Sequence, residues 1–256
     1  MGSSAQPAAR LSVRGLTMRY PNGTEALRGL DLSIAAGELV VVLGGNGCGK
    51  TTLMRCVTRA IRPTAGQVWL NGKELTHLEG EALRIARMDL AMVWQQANLV
   101  RRRSVIANVT SGALGRNRSW WTSLGGLPTA ELPAAYQALD EVGLTHLAPQ
   151  RAGTLSGGQA QRVSIARALM QRPAVVLADE PVASLDPEAA TDIMRLLQRL
   201  AHEDGLAVLC VLHQVDLAFG FADRVVGMKA GQVVFDRAAE GMVPSDVQDL
   251  YQRRAA

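Results

Sequence analysis

The sequence GGNGCGKTT at positions 44–52 comes directly after the apolar segment at 39–43. Gly44, Gly49, Lys50 and Thr51 match the pattern G-x-x-x-x-G-K-[ST]. In that pattern the backbone curls until its N–H groups face a phosphate chain, and the helix that follows adds the positive end of its dipole. Strand-forming residues in front and helix-forming residues behind supply the required context. The sequence therefore predicts a strand, loop and helix unit that binds a nucleoside triphosphate, rather than an ordinary glycine-rich turn.

The residues of this phosphate loop have different expected parts. Lys50 is placed to reach the β- and γ-phosphates, and the Thr51 hydroxyl is placed to bind Mg²⁺. For Cys48 we favour a small residue tolerated in a tight loop over a redox-sensitive thiol. The loop residues expected to contact the nucleotide are Gly44, Gly45, Asn46, Gly47, Cys48, Gly49, Lys50, Thr51 and Thr52.

Composition narrows the class of protein. A length of 256 residues with 48% hydrophobic content predicts a globular chain of one large domain, or one domain with an inserted lobe. No stretch approaches the roughly 20 uncharged apolar residues of a membrane-spanning helix, and the start of the chain lacks the features of a secretory signal. The three cysteines lack metal-ligand spacing, which indicates a reducing compartment. The net charge of +4 is spread along the chain, so we expect no nucleic-acid partner.

Apolar segments and turn signals predict the order of the structural elements. Short strands dominate up to residue 75, whereas strands and helices alternate after residue 174, which predicts a parallel sheet covered by helices. The expected division is a disordered tail at 1–10, an α/β domain at 11–241 that contains a helical lobe at 98–152, and a helical tail at 242–256. The predicted strands are 11–20, 30–34, 39–43, 67–70, 90–94, 175–178, 207–212 and a hairpin at 225–236, and the later predicted helices are 187–202 and 215–222.

A second element places two carboxylates after an apolar strand. Asp179 and Glu180 follow residues 175–178, at the edge where parallel sheets bind ligands. Two acids after a strand are often only a helix cap, but a phosphate loop in the same chain favours a catalytic interpretation. We expect Asp179 to hold Mg²⁺ through water and Glu180 to polarise an attacking water molecule.

A third element, LSGGQ at 155–159, precedes a run of helix-forming residues. A serine and two glycines at the start of a helix form another anion site lined by N–H groups. One phosphate loop does not need a second anion site in its own pocket. Two such sites in one chain therefore suggest that two chains face each other, each completing the site of the other.

Taken together, these motifs resemble the ATP-binding cassette (ABC) ATPases. The resemblance rests on the loop at 44–52, Gln95, LSGGQ at 155–159, ADEP at 178–181, SLD at 184–186 and His213, in matching order over residues 11–241. It implies an α/β P-loop NTPase fold with a RecA-like mixed-sheet core, an antiparallel β subdomain and an inserted α-helical subdomain. It also implies ATP and Mg²⁺ as cofactors.

The resemblance further implies a head-to-tail homodimer that holds two ATP molecules between the phosphate loop of one chain and residues 155–159 of the other. Ser156 and Gly158 would contact the γ-phosphate bound by the partner chain, with Gly157 and Gln159 beside them. Gln95 would sense Mg²⁺ and the attacking water. The remaining implied roles are adenine stacking for Tyr20, communication between the two sites for Asp186 and γ-phosphate binding for His213. Without the resemblance, Tyr20 could equally pack at a rim, and a lone His213 would usually be structural.

The implied site residues fall into three groups. Catalysis would involve Lys50, Gln95, Glu180 and His213. Metal binding would involve Thr51, Gln95 and Asp179. Nucleotide contacts outside the phosphate loop would come from Tyr20, Ser156, Gly157, Gly158, Gln159 and Asp186.

Within the family the sequence is most similar to the ATPases of phosphonate importers, through segments such as WQQ at 94–96 and LHQVDLA at 212–218. That likeness implies two permease subunits, a periplasmic solute-binding protein and a place on the cytoplasmic face of the inner membrane. Gly45, Asn46 and Cys48 depart from the commoner loop residues. Import of phosphite or related compounds fits equally well. An importer of another small solute and a lipoprotein or lipid exporter are the alternatives within transport. The single cassette and its short lobe argue against a soluble cassette of DNA repair or translation, and Glu180 argues against a regulator without turnover.

The segment 95–103 is the expected contact with a permease, because it joins Gln95 to the helical lobe. Its three arginines at 101–103 would meet lipid head groups or an acidic permease loop, although a solvated charged turn explains them equally well. For Trp120 and Trp121 we favour packing inside the lobe over a partner surface.

Overall fold

A sheet with five parallel strands and one antiparallel edge strand forms the centre of the computed structural model, which describes residues 9–116 and 129–251. Its strands are β3 (Leu39–Leu43), β6 (Leu90–Val93), β7 (Val175–Asp179), β8 (Ala207–Val211), β9 (Arg224–Lys229) and β10 (Gln232–Ala238), in the order β10-β9-β3-β8-β7-β6. Only β10 pairs antiparallel, with β9. The central strands are rich in valine and leucine and are buried on both faces, as parallel sheets require.

A second, antiparallel sheet contains β1 (Ala9–Arg19), β2 (Glu25–Ala35), β4 (Ala65–Leu70) and β5 (Lys73–Glu74) in the order β2-β1-β4-β5. Two sequence predictions were wrong here. The strand expected at 30–34 begins at Glu25, and Ala9 and Arg10 belong to β1 instead of a disordered tail. Apolar residues on one face of β1 and β2 are buried while polar residues on the other are exposed, and this alternation extends each strand beyond its most apolar part.

Eight α-helices lie in the described part of the chain. They are α1 (Lys50–Val57), α2 (Gly80–Ala86), α3 (Val105–Thr110), α4 (Leu132–Glu141), α5 (Gly157–Leu169), α6 (Pro187–His202), α7 (Val215–Phe221) and α8 (Gln248–Tyr251). The predicted bounds of α6 are confirmed, because its start carries strong local signals. Asp186 accepts a hydrogen bond from the backbone N–H of Ala189 at 2.9 Å, and Pro187 occupies the first helical position.

Strand β3 separates two hydrophobic cores. The side chains of Leu39, Val41 and Leu43 join the core that also contains residues of α3 to α6. The side chains of Val40 and Val42 join the core shared with the antiparallel sheet and α1. Since successive strand residues point to opposite faces, one five-residue strand anchors three layers of structure.

The regular elements between residues 98 and 152 are helical in the described part of the chain, apart from an isolated bridge between Ser104 and Arg151. Helices α3 and α4 both pack on α5. The packing prediction for Trp120 and Trp121 falls outside the described residues. Across 9–116 and 129–251, none of the helices combines the length and the apolar character needed to cross a lipid bilayer.

The close approach of residues 111–115 to α5 generates a stability prediction. A Cβ atom on Gly112 would overlap the carbonyl oxygen of Arg167 and would lie 2.9 Å from the Cβ of Met170. We expect Gly112→Ala to lower the free energy of unfolding by about 1–3 kcal/mol, because backbone must shift to make room. Urea denaturation of Gly112→Ala and Gly115→Ala measures this, since a Cβ on Gly115 would meet nothing within 4 Å. Equal stability of the two variants would refute the packing argument.

Candidate functional site

The candidate site lies at the carboxyl ends of four adjacent parallel strands, β3, β8, β7 and β6. In the strand register, Val42 pairs with Val211, and Val211 pairs with Asp179. The strand ends are therefore level, and the loops that follow them start from one edge of the sheet. These loops carry the phosphate loop, His213, Glu180 and Gln95, so one sheet edge gathers residues that are far apart in sequence.

The phosphate loop curls around the ammonium group of Lys50, and this lysine is only 6% exposed. The Nζ atom donates hydrogen bonds to the carbonyl oxygens of Gly44 at 2.7 Å and Gly45 at 3.3 Å. Gly49 adopts φ of 113°, and a Cβ there would lie 2.6 Å from the carbonyl oxygen of Ala26. Only glycine fits that conformation and that space, so the backbone, rather than side chains, shapes the cradle.

Tyr20 lies beside the first turn of α1. Its hydroxyl is 3.2 Å from the hydroxyl of Thr52, and either oxygen can be the donor. Thr51, the preceding residue of α1, is exposed. The sequence predicted both the tyrosine and the threonine as nucleotide contacts, but it gave no signal that the two side chains meet.

Two carboxylates and a histidine meet at the ends of β7 and β8. The Nε2 atom of His213 lies 2.7 Å from Oε1 of Glu180, within hydrogen-bond distance. Burial raises the pKa of Asp179 above its ordinary value, and the neighbouring Glu180 charge raises it further, while Lys50, Arg55 and His213 act in the opposite direction. Glu180 has φ of 50°, which is unfavourable for a residue with a side chain and is typical of functional sites.

Residues 156–159 form a capping box at the start of α5. The Ser156 hydroxyl accepts a hydrogen bond from the backbone N–H of Gln159 at 3.3 Å, and the Gln159 side chain accepts one from the backbone N–H of Ser156 at 3.0 Å. The hydroxyl proton of Ser156 can still be donated to a ligand. The N–H groups of Gly157 and Gly158 have no acceptor within the helix, as at any helix start. This end of α5 can therefore bind an anion.

The two glycines of this capping box lie close to the start of α6 and to the loop that precedes it. A Cβ on Gly157 would lie 3.1 Å from Cδ2 of Leu185, and one on Gly158 would lie 3.0 Å from the Cβ of Ala189. Asp186 stands between these contacts and caps α6. The cavity beside the capping box, about 350 Å³, is lined on its other side by residues 96–99 and Arg101, not by the phosphate loop. The chain thus carries its two anion-binding features on separate surfaces.

Sequence reasoning missed the polar stripe of α5. Gln161 is 3% exposed, and its Nε2 donates to the carbonyl oxygen of Trp94 at 2.9 Å. Arg167 donates to the carbonyl oxygens of Ala97 at 2.7 Å and Asn98 at 2.8 Å, and burial lowers its pKa. Gln161, Ser164 and Arg167 recur every three residues among apolar neighbours, and that spacing was the available signal. Gln95 itself is exposed, in the segment that these hydrogen bonds hold.

Comparison with known proteins places this geometry in a family. The protein-family model described as ABC transporter matches residues 27–183 of this chain. The phosphonates import ATP-binding protein PhnC of Thiobacillus denitrificans is 50% identical over 95% of this chain and 93% of its own. PhnC 2 of a Synechococcus strain is 44% identical over 94% of this chain and 90% of its own.

Solved structures agree. CbiO1 of Clostridium perfringens, part of an ABC transporter complex, superposes with a TM-score of 0.81 at 31% identity, covering 91% of this chain and 89% of its own. The ATP-binding cassette MJ0796, solved as a dimer with ADP and phosphate after hydrolysis, superposes with a TM-score of 0.77 at 31% identity, covering 91% of this chain and 100% of its own. With the phosphate loop, the paired acids and the LSGGQ cap on one matching scaffold, this chain belongs to the ABC transporter family.

Proposed function

We propose that the chain is the ATP-hydrolysing subunit of an importer that takes up phosphonates or related phosphorus compounds. The observation that carries the proposal is the sheet edge where Lys50, Asp179, Glu180 and His213 meet, since these groups suit phosphoryl transfer from a bound triphosphate. The substrate class is supported by the relatives named above, which are phosphonate import proteins at 44–50% identity.

Binding of ATP begins at the phosphate loop. Lys50 exchanges its hydrogen bonds with the Gly44 and Gly45 carbonyls for contacts with the β- and γ-phosphates, and the N–H groups of residues 44–52 surround the chain of phosphates. Tyr20 stacks on the adenine.

The residues present fit Mg²⁺ bound together with ATP. In the described residues no group of three or more His, Cys, Asp or Glu side chains could hold an ion by itself. Mg²⁺ commonly uses one or two protein oxygens and completes its shell with phosphates and water, which suits the Thr51 hydroxyl and the Asp179 carboxylate, with Gln95 nearby. When bound, the ion neutralises charge that develops on the phosphates.

Hydrolysis needs a water molecule in line with the γ-phosphate. Glu180 accepts a proton from that water as the water oxygen bonds to the γ-phosphorus and the bond to the bridging oxygen of ADP breaks, and the proton then passes to solvent. His213, now hydrogen-bonded to Glu180, donates to the γ-phosphate, and Gln95 orients the water. Electrostatic positioning by Lys50 and His213 contributes much of the rate enhancement.

A second copy completes the reaction centre. Ser156, Gly157, Gly158 and Gln159 of one chain cover the γ-phosphate bound by the other, and Asp186 links the two sites. The free hydroxyl proton and N–H groups at the start of α5 support this arrangement, as does the dimeric, post-hydrolysis state of the related cassette. Contacts to the γ-phosphate favour the closed dimer only while that phosphate is attached to the nucleotide. Hydrolysis removes these contacts, so the dimer reopens.

Two permease subunits receive the motion through the segment 95–103, with Arg101, Arg102 and Arg103 facing lipid head groups or an acidic permease loop. Supporting this, Arg167 holds the Ala97 and Asn98 carbonyls and also lines a cavity of about 370 Å³ together with Arg84 and Arg87. Arg84 is paired with Glu81 at 2.8 Å, whereas Arg87 and Arg167 donate to backbone carbonyls, so the charges of these two suit an acidic partner. A periplasmic solute-binding protein delivers the substrate, and the chain lies on the cytoplasmic face of the inner membrane.

Glu180→Gln is expected to lower kcat for ATP hydrolysis by about 10²- to 10⁴-fold, because the amide cannot accept the proton of the attacking water. Phosphate release measures the loss, and gel filtration with MgATP should show an accumulated dimer. The control is Glu188→Gln, an exposed acid in the first turn of α6. Rapid hydrolysis by Glu180→Gln would rule out its assigned role.

Asp179→Asn is expected to raise the melting temperature at pH 7 while abolishing hydrolysis. Burial raises the pKa of Asp179 above the unfolded value of 3.8, so the ionised carboxylate costs folding free energy at neutral pH. This contribution to the difference between the unaltered chain and Asp179→Asn should shrink as the pH falls through the raised pKa of the folded state, and it should vanish well below 3.8, where the carboxyl is protonated in both the folded and the unfolded state. Calorimetry from pH 4 to 7 tests this, with the exposed Asp216→Asn as the charge control. A lower melting temperature for Asp179→Asn at pH 7 would contradict it.

Uptake tests the substrate class. The chain, purified with its permease subunits and binding protein, should accumulate a labelled alkylphosphonate in proteoliposomes that contain ATP on the cassette side, and Glu180→Gln should abolish this. Accumulation of phosphite alone would narrow the substrate to that related phosphorus compound. Release of lipid or lipoprotein instead would identify an exporter and overturn the proposal.

A further inference from the structure

The C-terminal segment, residues 244–251, packs on the outer side of the phosphate loop. It consists of a 3₁₀ turn at Pro244–Val247 and helix α8. Although it lies at the edge of the fold, Val247 and Leu250 are only 2% and 5% exposed and belong to the larger core. Burial of both side chains anchors a segment that is too short to be stable alone.

Two contacts connect this segment to the loop and its neighbour β9. A Cβ on Gly45 would lie 3.1 Å from the carbonyl oxygen of Leu250, so the backbones of these residues are in close contact. The Nζ atom of Lys229, at the end of β9, donates to the carbonyl oxygen of Asp249 at 2.5 Å. The loop is also tied to the β9–β10 turn, since the N–H of Gly231 donates to the carbonyl of Cys48 at 2.9 Å.

Gly45 is a sensitive place for such a contact. Its carbonyl oxygen accepts a hydrogen bond from Nζ of Lys50 at 3.3 Å. When the ammonium group turns to a phosphate, this stretch of the loop loses an internal hydrogen bond while its curl must persist. Support from outside the loop then keeps the N–H groups aimed at the phosphates.

A cavity of about 340 Å³ lies beside the place where the segment approaches the loop, and its lining includes residues 45–48, Lys229, Leu250 and Tyr251. The Leu250 to Gly45 contact joins the segment to the loop next to this cavity, so it supports the loop from outside. The buried Leu250 side chain is what fixes the position of that carbonyl.

We propose that Leu250 is a positioning residue for nucleotide binding, holding the phosphate loop in its binding conformation through Gly45. The inference rests on the proposed function, in which this loop binds ATP. Leu250 is not among the residues expected to contact the nucleotide, and it is no part of the hydrogen-bonded pair formed by Glu180 and His213. It therefore acts on affinity for the phosphates that the loop holds, and not on the hydrolytic step.

The test is the affinity of the full-length chain for MgADP, measured by isothermal titration. Leu250→Ala is expected to bind MgADP about tenfold more weakly, because part of the loop must now be ordered on binding. In steady-state hydrolysis its KM for ATP should rise by a similar factor with kcat unchanged, a split that general destabilisation would not produce. Leu250→Met, which keeps the side-chain volume, should restore affinity.

Val243→Ala is the matched control, since Val243 is half exposed and lies just before the segment. If the unaltered chain fails to bind MgADP, the proposed function itself fails. If it binds and Leu250→Ala binds equally well, or loses kcat instead, the positioning role is overturned. Should Leu250→Ala not fold, Lys229→Met removes the hydrogen bond to Asp249 and should weaken MgADP binding about two- to threefold. Unchanged binding by that variant would likewise overturn the inference.

Discussion

Burial of β3 on both faces is the constraint on which the rest of this structure depends. All five of its residues are inaccessible to solvent, and they alternate between two cores. A strand in that position must lie inside a parallel sheet with a layer on either side. After its carboxyl end the chain has to turn sharply into helix α1, and the glycines of the phosphate loop make that turn possible. The position of the candidate site at this sheet edge therefore follows from the way the central strand packs.

The functional edge contains groups that the fold would not retain for stability alone. The pKa of Asp179 is raised by burial, and Glu180 holds a backbone conformation that costs about 1–3 kcal/mol elsewhere in proteins. The hydrogen bond between Glu180 and His213 and the positive charge of Lys50 near Asp179 compensate part of this cost. In the proposed mechanism each of these groups takes part in phosphoryl transfer, which accounts for the tolerated penalty.

Much of the fold could be predicted because its signals are local. The strand of β3, the loop that follows it and the cap of α6 are each encoded within a few consecutive residues. The bounds of β1 and β2 were harder to predict, because polar residues alternate with the apolar ones and leave no continuous apolar run. For the candidate site, the sequence predicted residues that the fold gathers at one sheet edge, but it did not predict the contacts between them. The pairs Tyr20 with Thr52 and Gln161 with Trp94 join residues 32 and 67 positions apart, and only the assembled sheet and helices bring them together.

The tether between α5 and the segment that carries Gln95 has a thermodynamic consequence. Three carbonyl groups of that segment, those of Trp94, Ala97 and Asn98, are hydrogen-bonded to side chains of one helix, and the same helix begins with the LSGGQ cap. These hydrogen bonds couple the position of the segment to that of the helix. Linkage between two binding events on such coupled elements is reciprocal. If binding of the triphosphate changes the affinity for a membrane partner by some factor, binding of that partner changes the affinity for the triphosphate by the same factor. Control of one binding event by the other is therefore mutual.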